Sequence, residues 1–318
     1  MTELVRTVLG DIPPDELGAT DYHEHLFQIS PLLPGDELDD EELSGREAAS
    51  LRGAGIDAMV DATPTGLWRH PEATARISAA SGLRVVMATG AHREAHYPEE
   101  HWIRSLTAAE LERRFTADLL DAVPAHDGAD RGREALGPSG EPVRAGLLKS
   151  GVGYWSISPF ERTVLTAVAG AHVRTGAPVM VHLEYGSAAF EVLELLAGMG
   201  VPPGRVVLAH ADRNPDPGLH AELAAAGAYL GYDGMARSRN RTDSELIRCL
   251  VEAAARGAAG RILLGGDVAR RTRYTAYGGM PGLAYLPRRF VPRLRAEAGD
   301  ELVDRVLRAN PARLLTWG

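Results

Sequence analysis

Short apolar runs rich in Val, Ile and Leu recur along the chain, each followed by a polar or glycine-rich turn and then by a stretch with helical spacing of apolar positions. This alternation predicts parallel strands joined by crossover helices. Strands are expected near Ala19–His25, Asp57–Thr63, Arg84–Gly90, Val143–Lys149, Ala177–Glu184, Arg205–Asp212, Ala228–Asp233 and Arg261–Asp267. Helices are expected over Pro71–Ser81, Thr107–Val123, Pro159–Thr175, Gly186–Ala197 and Asp243–Arg256. Eight such units in 318 residues suit an α/β fold of the (β/α)8 TIM-barrel type, one domain over residues 1–318. An open doubly wound sheet fits less well, since no glycine-rich phosphate-binding turn follows the first strand. The longest gap, 91–142, holds one helix and then a polar run rich in Gly and Pro that reads as a surface loop. The C-terminal stretch has amphipathic spacing interrupted at Pro311, which predicts two short closing helices.

Composition narrows the function. The chain carries 34 basic against 43 acidic residues, a net charge of -9, and has no basic stripe interleaved with aromatics, which argues against nucleic acid as a partner. It has one cysteine, Cys249, so neither an internal disulfide nor a four-cysteine zinc knot can form. The N-terminal residues lack a basic start leading into an apolar run, and no long apolar stretch follows, so a cytoplasmic, non-membrane protein with a small-molecule substrate is expected. Of the 34 basic residues only Lys149 is lysine. Arginine stays protonated, whereas lysine can lose its proton and react.

The candidate chemistry lies at strand ends. His23 and His25 sit two apart on the first strand and so share a face. Lys149, His182, His210 and Asp267 each follow a hydrophobic strand at its carboxyl end, the end where barrel enzymes gather their catalytic groups. Four imidazoles, a carboxylate and an amine converging there describe two metal sites. An ammonium has no lone pair for a cation, but a lysine carboxylated by CO2 is an anion with two oxygens, enough to bridge two metals.

These residues lie in segments that resemble the phosphotriesterase family of the amidohydrolase superfamily: YHEHLF, DATPTGLWRHPEATARIS, VVMATG, LLKSG, VHLEYG, LAHADRNPD, LGYDG and GGDVARRTRYTAYGG. The likeness spans nearly the whole chain. It implies that His23, His25 and Asp267 hold one divalent ion, that His182 and His210 hold the other, and that carboxylated Lys149 bridges them. Zn²⁺ is the first expectation, with Mn²⁺, Co²⁺ and Fe²⁺ suited to the same donors. A hydroxide between the ions would attack the substrate while Asp267 moves the proton to the leaving oxygen. Family members are commonly dimers, so a homodimer is implied as well.

Substrate preference rests on the rim. Arg237, Arg239 and Arg241 in loop seven and Arg270, Arg271 and Arg273 in loop eight gather positive charge in an acidic protein, which suits an anionic substrate. The arrangement is most similar to the sugar-phosphate lactonase branch, with Arg239, Arg270 and Tyr274 matching that branch's phosphate contacts. His92, in the loop after strand three, is a further candidate for the pocket wall. The expected activity is hydrolysis of a phosphorylated sugar lactone. Organophosphate triester, acyl-homoserine lactone and amide hydrolysis stay open, as does a metal-binding sensor or scaffold without turnover.

Overall fold

The computed structural model describes residues 3–317. Eight parallel strands follow one another around a barrel: β1 (Thr20–Glu24), β2 (Ala58–Asp61), β3 (Arg84–Gly90), β4 (Leu147–Val152), β5 (Val179–Leu183), β6 (Val206–Ala209), β7 (Tyr229–Tyr232) and β8 (Ile262–Leu264). Each pairs with its sequence neighbour, and β8 meets β1 through the Asp267 amide, which donates to the His23 carbonyl at 2.8 Å. The eight expected strands are all present, and the fold is the (β/α)8 barrel.

Helices α1 (Glu41–Gly53), α2 (Pro71–Ser81), α3 (Ala108–Leu120), α4 (Pro159–Thr175), α5 (Ala189–Gly198), α6 (Pro217–Ala225), α7 (Asp243–Ala255) and α8 (Val291–Asp304) follow the strands in turn. Local chemistry sets their ends. Thr107 with Glu110, Ser158 with Glu161 and Thr242 with Glu245 form reciprocal capping boxes at α3, α4 and α7. Gly82 and Gly176 end α2 and α4 in the left-handed conformation that glycine adopts freely. Helices α1 and α6 escape the sequence pattern because the buried face of α1 includes Ser44 and Glu47, and short α6 has little contrast between its faces. The C-terminal expectation needs correction. Residues 300–315 stay helical past Pro311, with a wide turn over 305–309 ahead of the last helix, α9 (Asn310–Leu315), where the missing proline N–H is accommodated.

The core is two nested layers, and strand alternation sorts them. Leu147, Met180, Val207 and Leu263 face the barrel interior, while their neighbours Leu148, Val179, Val181, Leu208 and Leu264 pack outward under the helices. A small antiparallel sheet of residues 4–7, 10–12 and 316–317 covers the end opposite the carboxyl ends of the barrel strands, and the Trp317 indole donates to the Gly146 carbonyl at 3.1 Å.

Gly90, at φ 120°, closes β3 against β4 so tightly that an added Cβ would sit 1.9 Å from the Lys149 carbonyl oxygen. Gly90→Ala is therefore expected to destabilise the protein by roughly 3 kcal/mol or more. Gly53, with open space around it, serves as the control in thermal unfolding. Equal midpoints for Gly90→Ala and Gly53→Ala would count against this packing.

Candidate active site

Alternation continues past the apolar positions and turns specific side chains inward. On β4 Leu147 faces in, so Lys149 does too, and on β5 Met180 carries His182 with it. A register shift between Asp21 and Glu24 on β1 lets Tyr22 and His23 both reach the interior. Following the inward Ala209, His210 would point outward, but its left-handed backbone (φ 64°) redirects it. Asp267 is likewise left-handed, at φ 42°. Strain of this kind at non-glycine residues concentrates at functional sites.

The expected groups converge at one end of the barrel. His23, His25, Lys149, His182, His210 and Asp267 are all buried. Asp267 Oδ1 lies 3.8 Å from His23 Nε2 and 3.7 Å from His25 Nε2, and Lys149 Nζ lies 3.4 Å from His23 Nε2. His210 Nε2 is 2.8 Å from His182 Nδ1.

Outer partners assign the tautomers. His23 Nδ1 and His210 Nδ1 meet the two oxygens of Asp233 at 3.0 and 2.6 Å. Thr63 donates to the Phe27 carbonyl, so its oxygen accepts from His25 Nδ1 at 2.7 Å. Glu184 accepts from His182 Nε2 at 3.1 Å. Each ring thus spends its N–H outward and turns a lone pair inward. Burial lowers the pKa of all four histidines, to about 3 at His210, so they stay neutral near pH 7.

The charged groups follow the same logic. Burial lowers Lys149 to about 8, against the opposing pull of Asp267 and Asp233. At Asp267 burial favours the neutral acid, but Arg237, His23 and His210 outweigh it and hold the carboxylate below its usual range. Asp267 Oδ2 accepts from Arg237 at 2.9 Å and from Arg213 at 3.3 Å, which leaves Oδ1 turned to the histidines.

A cavity of about 340 Å³ opens above this cluster. Arg270 lines it, although its guanidinium also meets Asp36 at 3.3 Å, and so does His92, stacked on His96 with ring centroids 3.9 Å apart. Two other expected substrate contacts lie elsewhere. Arg239 is exposed outside the lining, and Arg237 and Asn240 of the same loop face the cavity instead, because Arg237 is anchored by the Asp233 and Asp267 carbonyls. Tyr274 is fully buried beneath the site, where its hydroxyl donates to the His25 carbonyl.

Sequence reasoning gave no role to Asp233, Thr63 or Arg213, while Glu184, a candidate for the pocket wall, does line the cavity. Asp233 had a legible signal, since it follows β7 as Asp267 follows β8. Thr63 and Arg213 depend on side-chain direction across loops. Among the described residues, His23, His25 and Asp267 form a triad that could hold a metal ion, and His23, His210 and Asp233 a second close group. We read the second as hydrogen bonding, because each Asp233 oxygen meets one imidazole Nδ1. Among the described residues no helix is long and apolar enough to cross a membrane.

Known proteins resemble this chain over its length. The phospho-furanose lactonase of Mycoplasmopsis synoviae is 28% identical over 332 residues, covering 99% of this chain and 92% of the relative. The N-acetyltaurine hydrolase of Danio rerio is 30% identical over 366 residues, with 100% of both chains covered. The crystal structure of a lactonase from Listeria monocytogenes superposes with a TM-score of 0.88 at 31% identity, covering 99% of each chain. The model of the phosphotriesterase family matches residues 3–315, and with the barrel and the cluster at its carboxyl end in view, the chain belongs to that family of hydrolases.

Proposed function

We propose that this protein is a binuclear metal-dependent lactonase that opens a small phosphorylated sugar lactone. The observation that carries the reading is the pair His182 Nδ1 and His210 Nε2. Both outer nitrogens are occupied by carboxylates, so two lone pairs face each other at 2.8 Å. Two facing lone pairs repel, and either a proton shared by the two nitrogens or a cation held by both of them relieves the contact. His182 and His210 would hold one ion and His23, His25 and Asp267 the other, with carboxylated Lys149 shared. Neutral imidazole and carboxylate suit Zn²⁺, and Mn²⁺, Co²⁺ or Fe²⁺ as well.

When bound, the ions supply an activated water and polarise the scissile carbonyl. The chain's own residues do the rest. Asp267, kept ionised by Arg213 and Arg237, accepts the proton lost during attack and delivers it to the ring oxygen as the lactone opens. Arg93, Arg213, Arg237 and Arg270 outnumber Glu184 and Asp267 on the cavity wall, a balance that favours an anionic substrate. Similarity to the Listeria lactonase supports a lactone, and similarity to the phospho-furanose lactonase supports a phosphorylated one. The similarity to N-acetyltaurine hydrolase supports a second reading, hydrolysis of a small anionic amide in the same cationic cavity.

The test compares sugar lactones with and without a 5-phosphate, with N-acetyltaurine as a third substrate. Wild type is expected to prefer the phosphorylated lactone by well over tenfold. Arg270→Ala is expected to lose about tenfold of that preference, the worth of one charge-assisted contact of about 1.4 kcal/mol. No preference for the phosphate, or faster turnover of the amide, would reject the lactone-phosphate assignment.

A further inference from the structure

Beside the catalytic cavity lies a second hollow of about 560 Å³, whose walls include Tyr154, Trp155 and Tyr185 and whose polar groups include Arg213 and Arg241. Tyr185 and Arg213 line both cavities, so the two adjoin across a shared wall. The three aromatic rings are 60% exposed or more, unusual for side chains of this size grouped in one place. Tyr154 and Tyr185 meet edge to face, with centroids 6.0 Å apart.

The backbone is bent to present them. Trp155 and Tyr185 both adopt left-handed conformations, at φ 46° and 56°, which is costly for bulky residues. Loops four and five are tied together to hold this shape: the Trp155 amide donates to Ser187 Oγ at 3.0 Å, and Ser187 Oγ donates to the Glu184 carbonyl at 2.7 Å. Gly186 lets loop five pack against loop six, since a Cβ there would approach Asn214 Cβ to 3.1 Å. Arg241 donates to the Arg213 carbonyl at 2.9 Å, which fixes a second cation at the same wall. Tyr154, Trp155, Tyr185 and Arg241 take no part in the metal-donor cluster, whereas Arg213 also reaches Asp267. Strain spent on exposing aromatic rings next to two arginines is explained by a ligand that stacks and carries negative charge.

We propose that this hollow is an accessory subsite for the distal part of the substrate, taking a planar ring attached to an anionic group, with Trp155 and Tyr185 stacking on the ring and Arg213 and Arg241 facing the charge. The proposal rests on the reading of the neighbouring cavity as catalytic. It adds specificity for substrates longer than a simple sugar lactone phosphate.

The probes are inorganic phosphate and phenyl phosphate, which share an anion and differ by a ring. Calorimetric binding to the metal-loaded full chain needs no turnover. Wild type is expected to bind phenyl phosphate at least tenfold more tightly than inorganic phosphate. Trp155→Ala is expected to erase that ratio, and Trp155→Phe, which keeps a stacking surface, to restore most of it. Equal affinity of wild type for the two probes, or an unchanged ratio in Trp155→Ala, overturns the subsite. So does a Trp155→Ala protein whose only change is dissociation of a dimer in sedimentation, which would make the patch a self-association surface. If the phenyl phosphate ratio and its Trp155 dependence hold while no lactone is hydrolysed, the catalytic reading fails and the binding site stands.

Discussion

Replacing Lys149 with Met is expected to lower lactone turnover by about a thousandfold or more and to reduce the metal content of the protein. Lys149 is 1% exposed, and the polar atoms near its amine are Met180 Sδ at 2.9 Å and His23 Nε2 at 3.4 Å. The thioether is a poor acceptor and the imidazole nitrogen is at the long end of hydrogen-bonding range, so a buried ammonium is weakly satisfied, and burial lowers the pKa to about 8. At pH 7 about a tenth of the side chain is then a neutral amine, against roughly one part in three thousand for an unperturbed lysine. The neutral amine adds to CO2 and loses a proton, which yields the carbamate. Reconstitution of the metal-free protein should therefore quicken with added bicarbonate and as the pH rises towards about 8. Met is an unbranched side chain one atom shorter than Lys and offers no oxygen, whereas Lys149→Glu supplies a carboxylate and should retain part of the metal content. Full metal content and activity in Lys149→Met would remove the carbamate from the mechanism.

Asp233→Asn is the second large effect expected, a loss of about 10-fold to 100-fold in metal affinity with the fold retained. The carboxylate accepts from His23 and His210 through separate oxygens and also takes the Tyr22 hydroxyl. An amide keeps one acceptor and turns an NH2 group toward the other imidazole. That ring must then move its proton to Nε2, the nitrogen whose lone pair faces the cluster. The same two imidazoles hold Asp233 itself well below the usual carboxylate range against the penalty of burial. Titration with a competing chelator reads the affinity directly, and an affinity equal to wild type would reduce Asp233 to packing.

Much of this architecture was legible in the residues, for identifiable reasons. Short apolar runs rich in Val, Ile and Leu, each followed by a turn and a helical stretch, marked all eight strands, and strand-end positions singled out His23, His25, Lys149, His182, His210 and Asp267, which the fold brings together. Helix α1 was hidden because its buried face is partly polar. The inward turn of His210 depends on a left-handed backbone that no periodicity announces. Substrate contacts were least legible, since loop direction decides them. Within one short loop Arg237 turns to Asp267 while Arg239 faces solvent, and Tyr274 descends to the His25 carbonyl instead of lining the cavity.

The most direct test of a two-metal hydrolase is lactone hydrolysis followed as Zn²⁺ is added stepwise to metal-free protein. The close pair His182 and His210, the triad of His23, His25 and Asp267, and the buried lysine beside His23 predict negligible activity without metal and a plateau at two equivalents. A plateau at one equivalent, or full activity in the metal-free protein, would contradict it.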